Sequence, residues 1–408
     1  MKLIKYLCIF ILITSCNKTE IYLNLMKEDV AILSHDSLSG RETGTKGEKI
    51  ASEYIKKRFK TLNLKPILEE GYIQKFNFKT TSNPHQAPSF TNELTDSVST
   101  GINVIGYIDN NAKHVVVIGA HYDHLGYGGS NSLYRDKEKQ IHNGADDNAS
   151  GTAMMLDLAG KLIGIPSQNN YIFVAFSGEE IGLLGSNYFT KNIPIDMSKI
   201  NYMINMDMVG RLKPDSTLAI FGVGTSPIFK QVINSSNKTF KLSLKDSGVG
   251  PSDHTSFYTN NIPVLHFFTG QHEDYHKPSD DYHKINFDGM KMISNYIFDI
   301  ISQLNNHGKL NFRKTINESQ EVPRFKVSLG VIPDYLFSGK GMRIDGVSEN
   351  RPAQIAGLLK GDIVIKMGDH DVKDMMGYMN ALSKFEKGDE TTVIISRDET
   401  ELVKKIIF

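Results

Sequence analysis

The feature that most restricts this chain is a repeated one. Short apolar runs each stop at a cluster of acidic and imidazole side chains. The runs are His114–Gly119, Tyr171–Phe176, Tyr202–Asn205 and Ile262–Phe268. They are continuous rather than alternating, so each predicts a strand buried on both faces. Between the first two lies Thr152–Ile163, which has a helical pattern and is stopped by Gly164 and Pro166. Helical character is also expected over Ile32–Leu64, where Ala51, Tyr54, Ile55 and Phe59 recur at helix spacing ahead of Pro66. Further helices are expected from about Gly182 and over Phe287–Leu304. Thr80–Thr100 is polar and contains Pro, and reads as a surface excursion. Strand–helix alternation of this kind predicts an α/β fold on a mostly parallel, mixed sheet flanked by helices.

The polar clusters give the sheet a function. The first run ends in His121-Tyr-Asp123-His124, the second in Ser177-Gly-Glu179-Glu180 and the third in Asn205-Met-Asp207. The fourth leads to His272-Glu-Asp-Tyr-His276, and Gly144-Ala-Asp-Asp147-Asn-Ala-Ser-Gly151 stands just ahead of a helix. Open α/β sheets build their sites at the carboxyl ends of strands. Here those ends supply a His, Asp and Glu set suited to one or two divalent ions, and imidazole with carboxylate favours zinc over calcium or magnesium. Each residue alone reads equally well as a loop residue, an N-cap or a surface charge. Their placement at consecutive strand ends argues for one site. Adjacent Glu179 and Glu180 fit a site where one carboxylate binds metal and its neighbour holds the attacking water. They also fit a helix first turn, and the two readings are compatible.

The length of 408 residues allows two domains, and 46 basic against 46 acidic side chains argue against a nucleic-acid binder. Lys2 and Lys5, the apolar Leu7–Ile13 and then Thr14-Ser15-Cys16 read as a signal peptide, too short to span a bilayer. Its end resembles a bacterial lipobox. That resemblance implies lipidation of Cys16 and an exported protein held at a bacterial membrane, on the periplasmic or cell-surface side. The expected division is residues 1–16 signal and lipobox, 22–308 catalytic unit, 309–324 linker and 325–408 a small β-rich unit.

The five motifs resemble, in order and complete, those of the M28 zinc peptidases, with weaker matches at Leu38-Ser-Gly-Arg41 and Gly101-Ile-Asn-Val-Ile-Gly106. The family implies two zinc ions. Asp147 would bridge them, with a cis peptide bond to Asn148. His121 and Asp207 would complete one site, Glu180 and His276 the other. Asp123 would accept a hydrogen bond from His121 and fix its tautomer, and Glu179 would be the general base and later the acid. Asp253 and His254, in Gly250-Pro-Ser-Asp253-His254, resemble a segment on the rim of the family's active site and are expected either to contact substrate or to support the residues that do. His124, His142 and His272 read as loop residues, and His266 as a core histidine.

Residues 325–408 resemble a PDZ domain of the bacterial protease-associated type, through Asp345-Gly-Val347, Arg351-Pro-Ala-Gln-Ile-Ala-Gly-Leu358 and Gly361-Asp-Ile-Val-Ile365. PDZ domains take an extended chain end onto a sheet edge, and Ser338-Gly339-Lys340-Gly341 is the expected carboxylate loop. The implied function is a di-zinc aminopeptidase acting on peptides through a metal-activated water. A glutaminyl cyclase, a carboxypeptidase using Arg135 or Arg211, and an inactive surface peptide-binding lipoprotein are the alternatives.

Overall fold

The computed structural model describes residues 23–79, 88–93, 95, 97–129, 131–134, 136, 138–315, 327–334, 337, 339–348 and 351–408. Cys16 and the leader therefore lie outside the described residues, as do Arg135 and Ser338.

The first unit opens with helix α1 (residues 23–33) and α2 (Lys46–Thr61). The strands that follow are β1 (Ile73–Lys79), β2 (Ser89–Phe90), β3 (Ser99–Ile108) and β4 (His114–His121). Next come α3 (Gly151–Leu162), β5 (Asn169–Phe176), α4 (Leu184–Lys191), β6 (Ile200–Met206) and β7 (Thr217–Phe221). The unit closes with α5 (Phe229–Ser236), β8 (Lys241–Leu244), α6 (His254–Tyr258), β9 (Val264–Phe268) and α7 (Phe287–Leu304).

Nine strands form one sheet in the order β2-β1-β3-β5-β4-β6-β9-β7-β8. The middle four, β5-β4-β6-β9, run parallel, and antiparallel pairs flank them. The four apolar runs are these four central strands, and the reason is visible in β4. Val116 and Ile118 enter the core beneath α2, α3 and α7, while Val115 and Val117 enter a second core with Phe189 of α4 and Phe257 of α6. Covered on both faces, these strands need apolar side chains at every position. Parallel pairing then brings all four carboxyl ends to one edge.

The single helix expected over Ile32–Leu64 is two helices. Between them residues 36–41 form a 3₁₀ segment in which Ser39, Gly40 and Arg41 all take left-handed conformations (φ 48°, 71° and 50°). The polar excursion contains β2 and the start of β3.

The second unit pairs β10 (Val331–Pro333), β11 (Met342–Val347), β12 (Ile363–Met367), β14 (Glu390–Arg397) and β15 (Thr400–Ile407) in that order, with β13 (His370–Asp371) against β12. Helices α8 (Pro352–Ile355) and α9 (Met375–Leu382) complete it around a separate core that includes Met342, Val364 and Ile395. Leu310, in the stretch expected as linker, is buried in the first unit's core.

Candidate active site

Each strand end delivers one part of a single cluster. β4 terminates at His121, β5 leads to Glu179 and Glu180, β6 to Asp207, and the loop after β9 to His276. Asp147 sits in the turn that opens α3, and its peptide bond to Asn148 is cis. His121 Nε2 lies 3.4 Å from Asp147 Oδ1 and 3.3 Å from Asp207 Oδ1. His276 Nε2 lies 3.2 Å from Asp147 Oδ2 and 3.3 Å from Glu180 Oε2. Asp147 thus turns one oxygen toward each histidine.

These spacings test whether zinc fits. Ligands 2.0–2.1 Å from a tetrahedral zinc stand about 3.3–3.4 Å from one another. The four histidine-to-carboxylate distances, 3.2–3.4 Å, lie close to that spacing, and the donor types are those zinc takes. His124, Asp147 and Glu180 also bring ligand atoms within 4.8 Å of each other. However, His124 Nδ1 is only 2.7 Å from Glu180 Oε1. That is a hydrogen-bond length, too short for two ligands of one ion, so His124 orients Glu180.

The surroundings fix the tautomers. His276 Nδ1 donates to the Asn131 carbonyl at 2.8 Å, leaving Nε2 to face the carboxylates. His121 Nδ1 lies 3.2 Å from the Asp123 carbonyl oxygen and 3.6 Å from its carboxylate. The nearer acceptor is therefore the main chain of Asp123. Its side chain accepts instead from the Glu179 amide at 3.3 Å and the Thr43 hydroxyl at 2.9 Å, so Asp123 also steadies the Glu179 turn.

Burial opposes charge on both histidines. Even so, Asp207 and Glu179 hold His121 well above the usual imidazole range, and Glu180 with Asp147 raises His276 to about 11. Burial likewise opposes the charge on Glu180, yet His276 brings it down to about 2. Glu179 goes the other way. Burial, reinforced by Asp207, Glu180 and Asp253, pushes it well above the ordinary carboxylate value despite His121. Two adjacent carboxyls thus differ in proton affinity, as a ligand and a proton-carrying neighbour should.

Asp146 is turned away from the cluster. It accepts from the Gly210 amide and faces His272 Nε2 at 3.1 Å. Asp253 and His254 are wholly buried and do not line the cleft. Asp253 lies among the site's acids, and His254 stacks on His266 with ring centroids 4.5 Å apart. Both therefore support the site without lining the cleft themselves, His254 through its contact with His266. His266, expected as a core histidine, is buried and bonds the Asn205 side-chain amide at 3.1 Å, and near the end of β9 it also borders the cleft. Arg211 donates to Asp274 at 3.1 Å and does not line the cleft.

Three further supports hold the cluster, and two of them, Glu48 and Asp280, carry no motif signal of their own. Glu48 accepts from the Gly44 and Ile102 amides and from the Ser177 hydroxyl, tying α2 to the Glu179 turn. Asp280 accepts from the Asp146 and Asp147 amides at 2.9 and 3.0 Å. Arg41 is the third. A leucine-serine-glycine-arginine run drew attention to it, but only its contacts reveal what it does.

The cleft over the cluster holds about 150 Å³ and is lined by Asp147, Glu179, Glu180 and Asp207, with Met208, Phe221, Pro251 and Phe268 on the apolar side. Gln271, Tyr275, His266 and His276 complete it. Among the described residues no lysine or arginine faces it.

Comparison with known proteins agrees with this geometry. Residues 103–301 match the model of peptidase family M28, and residues 315–406 that of the PDZ domain. An aminopeptidase of Bacillus subtilis, YwaD, is 30% identical over 207 residues, which span 47% of this chain and 41% of that protein. The chain spans about half or less of the length of the curated relatives it matches. Among solved structures, a Zn-dependent exopeptidase from Parabacteroides distasonis superposes with a TM-score of 0.55 at 18% identity, covering 68% of this chain and 97% of that one. A glutaminyl cyclase from Porphyromonas gingivalis superposes with a TM-score of 0.53 at 16% identity, over 70% and 98% of the two chains. Both likenesses are of fold.

Proposed function

We propose, from the premise that residues 103–301 of this chain belong to peptidase family M28 and residues 315–406 form a PDZ domain, that the protein is a zinc-dependent aminopeptidase. The observation that carries this reading is the charge of the cleft. Four carboxyl groups and no lysine or arginine among the described residues line it. Zinc would neutralise Asp147, Glu180 and Asp207, so it is the missing basic side chain that discriminates: the wall leaves room for a free N-terminus and offers nothing to pair with the carboxylate of a C-terminus. A carboxypeptidase needs the reverse, and Arg211 is engaged by Asp274.

His121, Asp147 and Asp207 would hold one zinc, and Asp147, Glu180 and His276 a second. The separate orientation of the two Asp147 oxygens supports a count of two per chain. Bound zinc supplies a polarised carbonyl and a water of lowered pKa. Glu179 takes the proton of the attacking water and returns it to the leaving amine. Its raised proton affinity suits the second half of that task. Met208, Phe221, Pro251 and Phe268 favour an apolar N-terminal side chain. The glutaminyl cyclase reading shares the free-amine requirement and is separated by product, since a cyclase releases ammonia and no amino acid.

The decisive assay is hydrolysis of a panel of aminoacyl amides, with zinc measured on the same sample. Chelator-sensitive release from free-amine substrates, lost on N-acetylation, is expected. An inert protein that carries zinc would move the assignment to the cyclase. Glu179→Gln should lower kcat by at least about a thousandfold while zinc content stays at the wild-type level. A variant that keeps most of its kcat would exclude Glu179 as the base.

The PDZ unit is read as capturing a peptide chain end on the open edge of β10. Gly339–Gly341 follow the carboxyl end of β10, so they meet a bound carboxylate only if the added strand runs parallel to β10. An antiparallel chain end would place it beside Leu329 and Gly330 instead. Export and lipid attachment at Cys16 remain part of the proposal. The basic, apolar, then Cys16 order supports them, and Cys16→Ala should release the protein from membranes.

A further inference from the structure

We infer that Arg41 is a positioning residue for the zinc cluster, holding the turn after β4 against the turn before α3 through main-chain bonds alone. Arg41 is 1% exposed. Its Nε donates to the Tyr122 carbonyl at 2.6 Å, between His121 and Asp123. Its two terminal nitrogens reach the carbonyls of Asn143 at 2.6 Å and Gly144 at 3.0 Å, three residues before Asp147, and that of Leu33. One rigid guanidinium thus spans two ligand-bearing turns and the end of α1. A planar fork suits this task as a lysine does not.

The backbone around it is shaped for the same purpose. Left-handed Ser39, Gly40 and Arg41 form a wedge between the loops. A Cβ on Gly40 would lie 2.4 Å from the Gly126 oxygen and 2.7 Å from that of His142. The Arg41 carbonyl accepts from the His124 amide, and the Gly40 carbonyl from the Gly126 amide.

Among the described residues the hydrogen bonds of this guanidinium go to carbonyls, and no carboxylate balances it by contact. Burying such a charge is costly, and a methionine would fill the same space without that cost. The compensation comes from the acids of the cluster. Asp123, Asp147, Asp280 and Glu180 all favour the charged guanidinium, although burial lowers its pKa to about 10.

The inference rests on the metallopeptidase reading only in that the cluster binds zinc. Zinc affinity of wild type, Arg41→Lys and Arg41→Met is measured by chelator competition, with apo-protein melting and kcat at saturating zinc. Arg58→Met is the control, since Arg58 is a buried-side arginine paired with Asp29 away from the cluster. Arg41→Met should bind zinc at least about tenfold more weakly, recover activity as zinc is raised, and bind more weakly than Arg41→Lys. Arg58→Met should lower the melting temperature yet keep wild-type zinc affinity. Wild-type affinity in a folded Arg41→Met overturns the inference. If that variant does not fold, wild-type affinity in Arg41→Lys overturns it. Equal loss of affinity in the Arg58 control would reduce Arg41 to general stability. A wild-type protein that takes up no zinc overturns both this inference and the metallopeptidase reading.

Discussion

Each of the two cluster histidines lies between carboxylates, with no lysine or arginine among the described residues in contact, so in the metal-free protein a proton must occupy the place of the cation. His276 is held at about 11 and His121 well above its ordinary value, so both imidazoles are charged at neutral pH. Zinc binds only the neutral ring and must displace those protons. Titration of the apo-protein with zinc at pH 7 should therefore release at least about two protons per chain. Calorimetry in buffers of different ionisation enthalpy would measure this. Affinity should fall as pH is lowered, because protons compete more strongly. Release of no protons would mean that the histidines are not ligands. The same residues show what a sequence can reveal. His121, Glu180 and Asp207 were legible because each ends or follows a continuous apolar run. Glu48 and Asp280 were not, and the task of Arg41 was not, because their decisive partners lie far away in sequence.

At the scale of elements, the turn before α3 carries the tightest constraint. Gly144 has φ 53°, and a Cβ there would stand 2.1 Å from the Asp147 oxygen and about 2.5 Å from the His124 ring. Gly164, after α3, also has positive φ but nothing within 4 Å. Gly164→Ala should thus cost only its backbone strain, about 1 kcal/mol, whereas Gly144→Ala should cost about 3 kcal/mol or more and lose zinc. Urea unfolding with metal analysis would show the difference, and equal costs would refute the steric argument. β3 escaped sequence reading for a physical reason. β3 contains Gly101 and Gly106, where Phe76 and Phe59 rings take the space of a Cβ. It also contains buried Asn103, which bonds Gln74 and the Gly185 carbonyl. Packing demanded non-apolar residues inside a strand, and the apolar pattern broke. In the first helical stretch the left-handed wedge at Ser39–Arg41 interrupts a sequence whose periodicity resumes on either side.

For the molecule as a whole, the boundary between its units falls later than polarity suggests. Leu310 is buried, Phe312 packs 5.5 Å from the Tyr258 ring, and the Thr315 amide donates to the Tyr258 hydroxyl. A chain ending at residue 315 should keep zinc and cleave small aminoacyl amides. One ending at 304 should lose about 3 kcal/mol, the burial of those two side chains. If both truncations melt together, the segment contributes nothing. A last consequence follows from the way Arg41 is held. Its partners are carbonyls, which every amino acid possesses. Leu33, Tyr122, Asn143 and Gly144 can therefore drift over evolutionary time without breaking the clamp, and no compensating change at one position need follow a change at another. A search for correlated substitutions would pass over this contact, although it joins two of the metal-bearing turns.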